Sequence, residues 1–163
     1  MAKVEPVLEY REMINRSLRF YRDLGIDVPE EKMDLAVISL TMPEYARIFY
    51  DQKGFVIQNQ DGMATLGDAM CGAFLMHKKF DYSKTKEELT ELKNALTNVN
   101  LNKQGKELLD GVLFARNNDL HQSVQEGDNN KSYATAFEAM IGFISLIDIY
   151  KAQEIFNKYV LEE

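Results

Sequence analysis

Cysteine is nearly missing from the chain. With Cys71 alone, no intrachain disulfide can form and no zinc site built from several cysteines is available. Proline is also scarce, at three residues, and the nine glycines are scattered, which excludes a disordered Pro/Gly-rich linker. No apolar run approaches the ~20 residues that a bilayer-spanning helix needs. The opening residues MAKVEPVLEYREM mix charges and lack an apolar stretch, so no secretory signal is visible. A cytoplasmic or otherwise reducing compartment and no membrane partner are therefore expected. Basic residues are in deficit, 19 against 26 acids, for a net charge of −7. That balance excludes a polybasic binder of nucleic acid or membrane surface. A polyanion would have to be met by a local basic patch or by a metal ion.

What remains suits one globular domain with a true core: 163 residues, 45% of them hydrophobic, and no repeat at solenoid spacing. The periodicity is helical nearly throughout, so the fold class is all-α. Val7, Tyr10, Ile14, Leu18, Tyr21 and Leu24 form an amphipathic stripe that Gly25 closes. The spacings Glu12–Arg16 and Arg19–Asp23 predict ion pairs on its polar side. Pro29-Glu30-Glu31 opens a second helix, which ends at Thr41 or Met42, and Pro43 opens a third. Residues 51–62 (DQKGFVIQNQDG) read as a loop, with room for a short strand at Phe55–Ile57. MATLGDAMCGAFLMHKKF, residues 63–80, is apolar on most faces and reads as a buried central helix; Asp61, just before it, reads as its N-cap. Thr85-Lys-Glu-Glu88 is a capping box. Further helices are expected over 102–115, Tyr133–Leu146 and 148–161. The polar segment 115–132 lacks periodicity and reads as a long loop.

Two helices that look central each carry one acid, Asp68 and Glu138. A buried carboxylate must be protonated, paired or metal-bound. If the helices cross near these positions the two carboxylates converge, and two oxygen ligands with room for water is how Mg²⁺ is usually held. Spacing alone leaves a metal site and a structural role both open. His77 and His121 show no partner pattern, and no phosphate-binding glycine loop is present.

Four segments, in order, resemble the ribonuclease III family: LAVISLTMPEY at 35–45, LGDAM at 66–70, LTELKNALTN at 89–98 and ATAFEAMIG at 134–142. The resemblance implies a ribonuclease III endonuclease-domain-like helical bundle. One domain would span 1–163, with an N-terminal helix in 1–28 and the family-like core over 30–160. It further implies a homodimeric, Mg²⁺-dependent endoribonuclease (Mn²⁺ able to substitute). Double-stranded or structured RNA would be its substrate in RNA processing, and no DNA partner is expected. Asp68 and Glu138 match the family's principal catalytic, metal-holding carboxylates. Two further family acids are replaced, by Ala64 and Thr135. The small members known as Mini-III, which lack a double-stranded-RNA-binding domain, share both replacements, and SYATAFEAMIG matches their form closely. Asp61 falls where full-length members carry another Glu and is a candidate additional ligand. Arg116-Asn117 resembles the Arg-Asn of the RNA-facing loop. Lys93, Arg116 and Lys131 are candidate phosphate contacts from position and charge. A second reading of a different class is a catalytically silent ribonuclease III fold that binds RNA or serves assembly.

Overall fold

The computed structural model describes residues 7–94, 98–115 and 132–161, and side chains at 92–100 lie outside that description. Eight α-helices are present among the described residues. They are α1 (Tyr10–Asp23), α2 (Met33–Ser39), α3 (Pro43–Lys53), α4 (Asp61–Lys79), α5 (Lys86–Asn94), α6 (Asn98–Leu109), α7 (Ser132–Ile147) and α8 (Ile149–Phe156). A 3₁₀ turn, Glu30–Lys32, leads into α2, and a π-helical turn, Asn157–Leu161, extends α8.

Local chemistry sets the helix ends. Gly25 (φ 84°) and Gly54 (φ 68°) adopt the left-handed conformation just beyond α1 and α3, where a side chain would be strained. Pro43 opens α3, and Asp148 caps α8 by accepting from the Tyr150 and Lys151 amides. The Thr85 capping box forms: the Glu88 amide donates to the Thr85 hydroxyl, 3.2 Å.

Helix α7 is the spine. Its residues from Tyr133 to Ile144 are buried except Thr135 and Glu138, and it packs most extensively on α4 and then on α6. Glycine makes both approaches possible. A Cβ at Gly67 would overlap the Glu138 carbonyl and come within 3.0 Å of the Glu138 Cα. A Cβ at Gly142 would overlap the Met63 carbonyl and sit 2.9 Å from the Gly67 nitrogen. Gly105 on α6 lies as close to the Tyr133 carbonyl. Backbone therefore meets backbone at these crossings, with no side chain to act as spacer. The start of α7 is then fastened from α6. Asn102 Oδ1 accepts from the Tyr133 and Ala134 amides, and the Tyr133 hydroxyl donates to Asp110, 3.1 Å. Burial and that carboxylate together push the Tyr133 phenol up to about 12.

A second fastening joins distant loops. Phe114 donates its amide to Leu40 and accepts from Met42, making a parallel bridge opposite Thr41, and the Gln60 amide donates to the Thr41 carbonyl, 2.9 Å. The starts of α3 and α4 are thereby held side by side.

Several expectations are corrected. No strand forms at Phe55–Ile57; the Thr41–Phe114 bridge is the one β interaction among the described residues. Helix α3 continues to Lys53, through part of the expected loop, and α6 ends at Leu109 rather than 115. Asp61 is the first residue of α4 and not its cap; Gln60 holds the cap position. The buried line of α1 runs through Met13, Ser17 and Tyr21, with Ile14, Leu18 and Leu24 only partly covered. The expected α1 ion pairs are not formed. Arg16 instead donates to the Gly111 carbonyl and stacks on the Phe114 ring, 5.4 Å from its centre. Helix α4 is not buried all round: Thr65, Asp68, Ala69 and Ala73 form an exposed face. Small apolar residues count toward hydrophobic character, but they bury little area and leave that face open.

The crossing makes a sharp prediction. Gly67→Ala should destabilise the protein by about 3 kcal/mol or more, because both obstructing groups are backbone and cannot swing aside. Gly62→Ala, whose Cβ would meet nothing within 4 Å, should be neutral or stabilising by up to ~1 kcal/mol. Urea midpoints of the two variants test the contrast.

Candidate functional site

The crossing of α4 and α7 also places the two singled-out acids. Glu138 presses its backbone on Gly67, and Asp68 is the next residue along α4. The side chains share a neighbour, Cys71, one turn further on. Burial chiefly, then the Glu138 charge, then the Asp68 charge, push the Cys71 thiol well above its ordinary range. The charges of both carboxylates thus act on one buried thiol. The thiol stays protonated at neutral pH and is no nucleophile.

Burial differs from the expectation. Asp68 is exposed on the open face of α4, and Glu138 is half-buried. The desolvation argument for a buried pair of lone acids fails for Asp68. An exposed carboxylate carries little burial cost and is accessible from solvent. What ties the two positions together is the backbone contact of Gly67 with Glu138.

The donor set decides which ion such a site suits. Among the described residues no cluster of three or more His, Cys, Asp or Glu side chains stands ready to hold a metal. Two carboxylates fit an ion that keeps most of its own water, which is the habit of Mg²⁺.

Asp61 is not gathered into a three-acid set with Asp68 and Glu138. It lies seven residues before Asp68, a rise of about 10 Å along the helix. There it lines a separate cavity of about 260 Å³ with Met42, Pro43, Gln60, Ser132 and Thr135. Ala64 is buried and Thr135 half-buried, and neither side chain carries a charge. Lys93 lies on α5 with its side chain outside the described residues, and Arg116, Asn117 and Lys131 lie outside them altogether.

The sequence reading missed Gln60. It is 1% exposed, and neither its amide nitrogen nor its oxygen has a partner. A glutamine within a polar loop gives no signal of burial. The hint lay in its place directly before a helix whose next residues are Asp61 and Gly62.

No protein-family model matches the sequence, and no curated protein does. The nuclease domain of ribonuclease III from Campylobacter jejuni, a solved structure described for structural flexibility in a region involved in dimer formation, is similar in fold. The TM-score is 0.61 at 20% sequence identity, covering 88% of this chain and 98% of that one. The all-α architecture is that of a ribonuclease III nuclease domain.

The shared thiol gives a direct test of convergence. Alkylation of Cys71 by iodoacetamide at pH 8 should be at least ~100-fold slower in the folded protein than in urea, read by mass spectrometry. In the double variant Asp68→Asn, Glu138→Gln the thiol should titrate at lower pH, so alkylation at pH 9 should speed up. No change would place the carboxylates away from Cys71.

Proposed function

We propose that this protein is a metal-dependent endoribonuclease of ribonuclease III type, acting on double-stranded or structured RNA as a compact, Mini-III-like homodimer. The observation that carries the reading is the backbone contact of Gly67, the residue before Asp68, with Glu138 at the α4–α7 crossing, within the fold of a ribonuclease III nuclease domain. Asp68 and Glu138 would hold Mg²⁺, or Mn²⁺ in its place. Such an ion supplies a water of lowered pKa and stabilises charge building on the phosphate.

The chain's own residues do the positioning. Glu138 cannot drift, because its backbone is wedged on Gly67 between two packed helices. Asp68 meets solvent, so a phosphate group can reach it without a change of fold. Cys71 is buried nearby, and burial chiefly holds its thiol neutral. The exposed small-residue face of α4 offers close approach to a second copy, in line with the dimer-forming domain from Campylobacter jejuni. Lys93, Arg116, Asn117 and Lys131 are the phosphate contacts in this reading. With a net charge of −7 these few cations predict weak binding that falls steeply with salt.

A second reading, a silent fold that binds RNA without cutting it, is favoured by one observation: no third acid joins Asp68 and Glu138 among the described residues. Cleavage of a labelled RNA duplex in Mg²⁺ decides between them. Asp68→Asn and Glu138→Gln should each lower the rate by about 100-fold or more while leaving duplex binding in place. A wild-type protein that binds the duplex and never cuts it is the silent module. Cleavage unaffected by either substitution would place the site elsewhere. Light scattering at micromolar concentration should give twice the 18.8 kDa chain mass, and a monomer would remove the dimeric arrangement.

A further inference from the structure

The turn between α4 and α5 carries side chains that the proposed catalysis does not use. Residues 77–86 read HKKFDYSKTK, with Lys78, Lys79, Lys84 and Lys86 against one acid, Asp81. Among the described residues none of the four lysines makes an ion pair. Asp81 is engaged within the turn itself. Its carboxylate accepts from the Ser83 amide, 2.9 Å, and from the Ser83 hydroxyl, 2.7 Å, and its carbonyl accepts from the Lys84 amide, 3.0 Å. The next acids, Glu87 and Glu88, lie in the first turn of α5, and Glu88 accepts from the Thr85 hydroxyl. A hydrogen-bonded turn on a chain of net charge −7 is thus locally basic, which is what an acidic protein needs in order to meet a polyanion.

Two rings stand on the same turn. Phe80, where α4 gives way to extended backbone (ψ 135°), is 63% exposed, and Tyr82 is 92% exposed. Among the described residues neither packs on another ring or joins the hydrophobic core. Single exposed apolar residues are ordinary, but two bare rings flanked on both sides by unpaired lysines form a patch of defined chemistry. Lysines meet phosphates, and an uncovered ring meets the face of a base. Inside a duplex the base faces are already stacked on one another, so only unpaired nucleotides offer them. The position also suits a substrate. Lys79 follows Asp68 by three turns of α4, within about 20° of the same side and about 16 Å further along.

We propose that this turn is a stacking ledge for unpaired nucleotides that border an RNA duplex. Bases lie on Phe80 and Tyr82, and phosphates meet Lys78, Lys79, Lys84 and Lys86. The substrate is thereby narrowed from duplex in general to duplex flanked by a single-stranded loop or tail. Naming RNA as the polyanion rests on the function proposed above; affinity of the ledge for a single strand does not depend on cleavage.

The test is fluorescence anisotropy in EDTA, where no metal-dependent cutting occurs, with three labelled probes: a short oligouridylate, a blunt RNA duplex, and the same duplex with a single-stranded tail. The tail should tighten binding about fivefold or more. Phe80→Ala and Tyr82→Ala should each weaken the oligouridylate and the tailed duplex by about fivefold or more and leave the blunt duplex unchanged. Tyr82→Phe, which keeps a ring, should bind as wild type does. Lys79→Ala and Lys84→Ala should each lower the slope of log affinity against log salt by about 0.7 for the oligouridylate. All of these side chains are at the surface, so melting temperatures should stay at the wild-type value. A tail without effect, or a double variant Phe80→Ala, Tyr82→Ala that binds the tailed duplex as well as wild type, would overturn the proposal. So would capture of phosphatidylserine vesicles through these rings without binding of oligouridylate, which would make the ledge a membrane contact. A double variant that is monomeric where wild type is dimeric would assign the rings to a subunit contact and overturn it too. Asp68→Asn should keep the preference for the tail while losing cleavage, so failure of the ledge and failure of the catalytic reading are told apart.

Discussion

Everything about the site depends on one steric condition: α4 and α7 touch backbone to backbone. Gly67 and Gly142 remove the side chains that normally hold helices 8–10 Å apart, and the Glu138 carbonyl occupies the space a Cβ would need. The helices thus meet in a register that neither can shift by a fraction of a turn without collision. Because Asp68 follows Gly67 and Glu138 belongs to the contact itself, the position of both carboxylates is an outcome of helix packing rather than of flexible side-chain placement. Glycine within a helix costs about 1 kcal/mol in propensity, which is recovered here as close packing of the most buried helix in the molecule.

How much of this could be read beforehand follows physical lines. The helices, the glycine stop after α1, the Pro43 start and the Thr85 capping box are local codes, and the structure contains them. That the helices of Asp68 and Glu138 would cross near these positions was also legible, since each is a lone acid among apolar neighbours on long helices. Burial was not legible. Ala69, Ala73 and Thr65 look apolar or small in sequence, but only packing shows that nothing covers them and that Asp68 stands in the open beside them. Arg16 shows the same limit. Spacing offered it Glu12, but its place is the Phe114 ring and the Gly111 carbonyl, on a segment nearly a hundred residues away. Gln60 was invisible for a related reason. Its burial follows from a backbone bridge between distant loops, and no periodicity records that.

The acid excess of the chain also takes on a distribution. Asp68 and Glu138 form one end of a short axis, and the starts of α3, α4 and α7 form the other, two turns of α4 away. The helix starts carry partial positive charge, set off in part by Asp61 at the α4 start, inside a molecule whose net charge is unfavourable to polyanions. Net charge sets the long-range approach.

The Thr41–Phe114 bridge has a consequence for how the molecule assembles. It closes a long loop that contains α3 to α6, and its hydrogen bonds join segments with little contact between them until those helices are in place. Loop closure of this kind carries its entropy cost before any contact rewards it. The core formed by α4, α6 and α7 can therefore consolidate first, with the Leu40–Met42, Gln60 and Phe114 junction forming late. The three converging helix starts are thus a feature of the completed fold alone, absent from a partly folded chain that already has most of its helices.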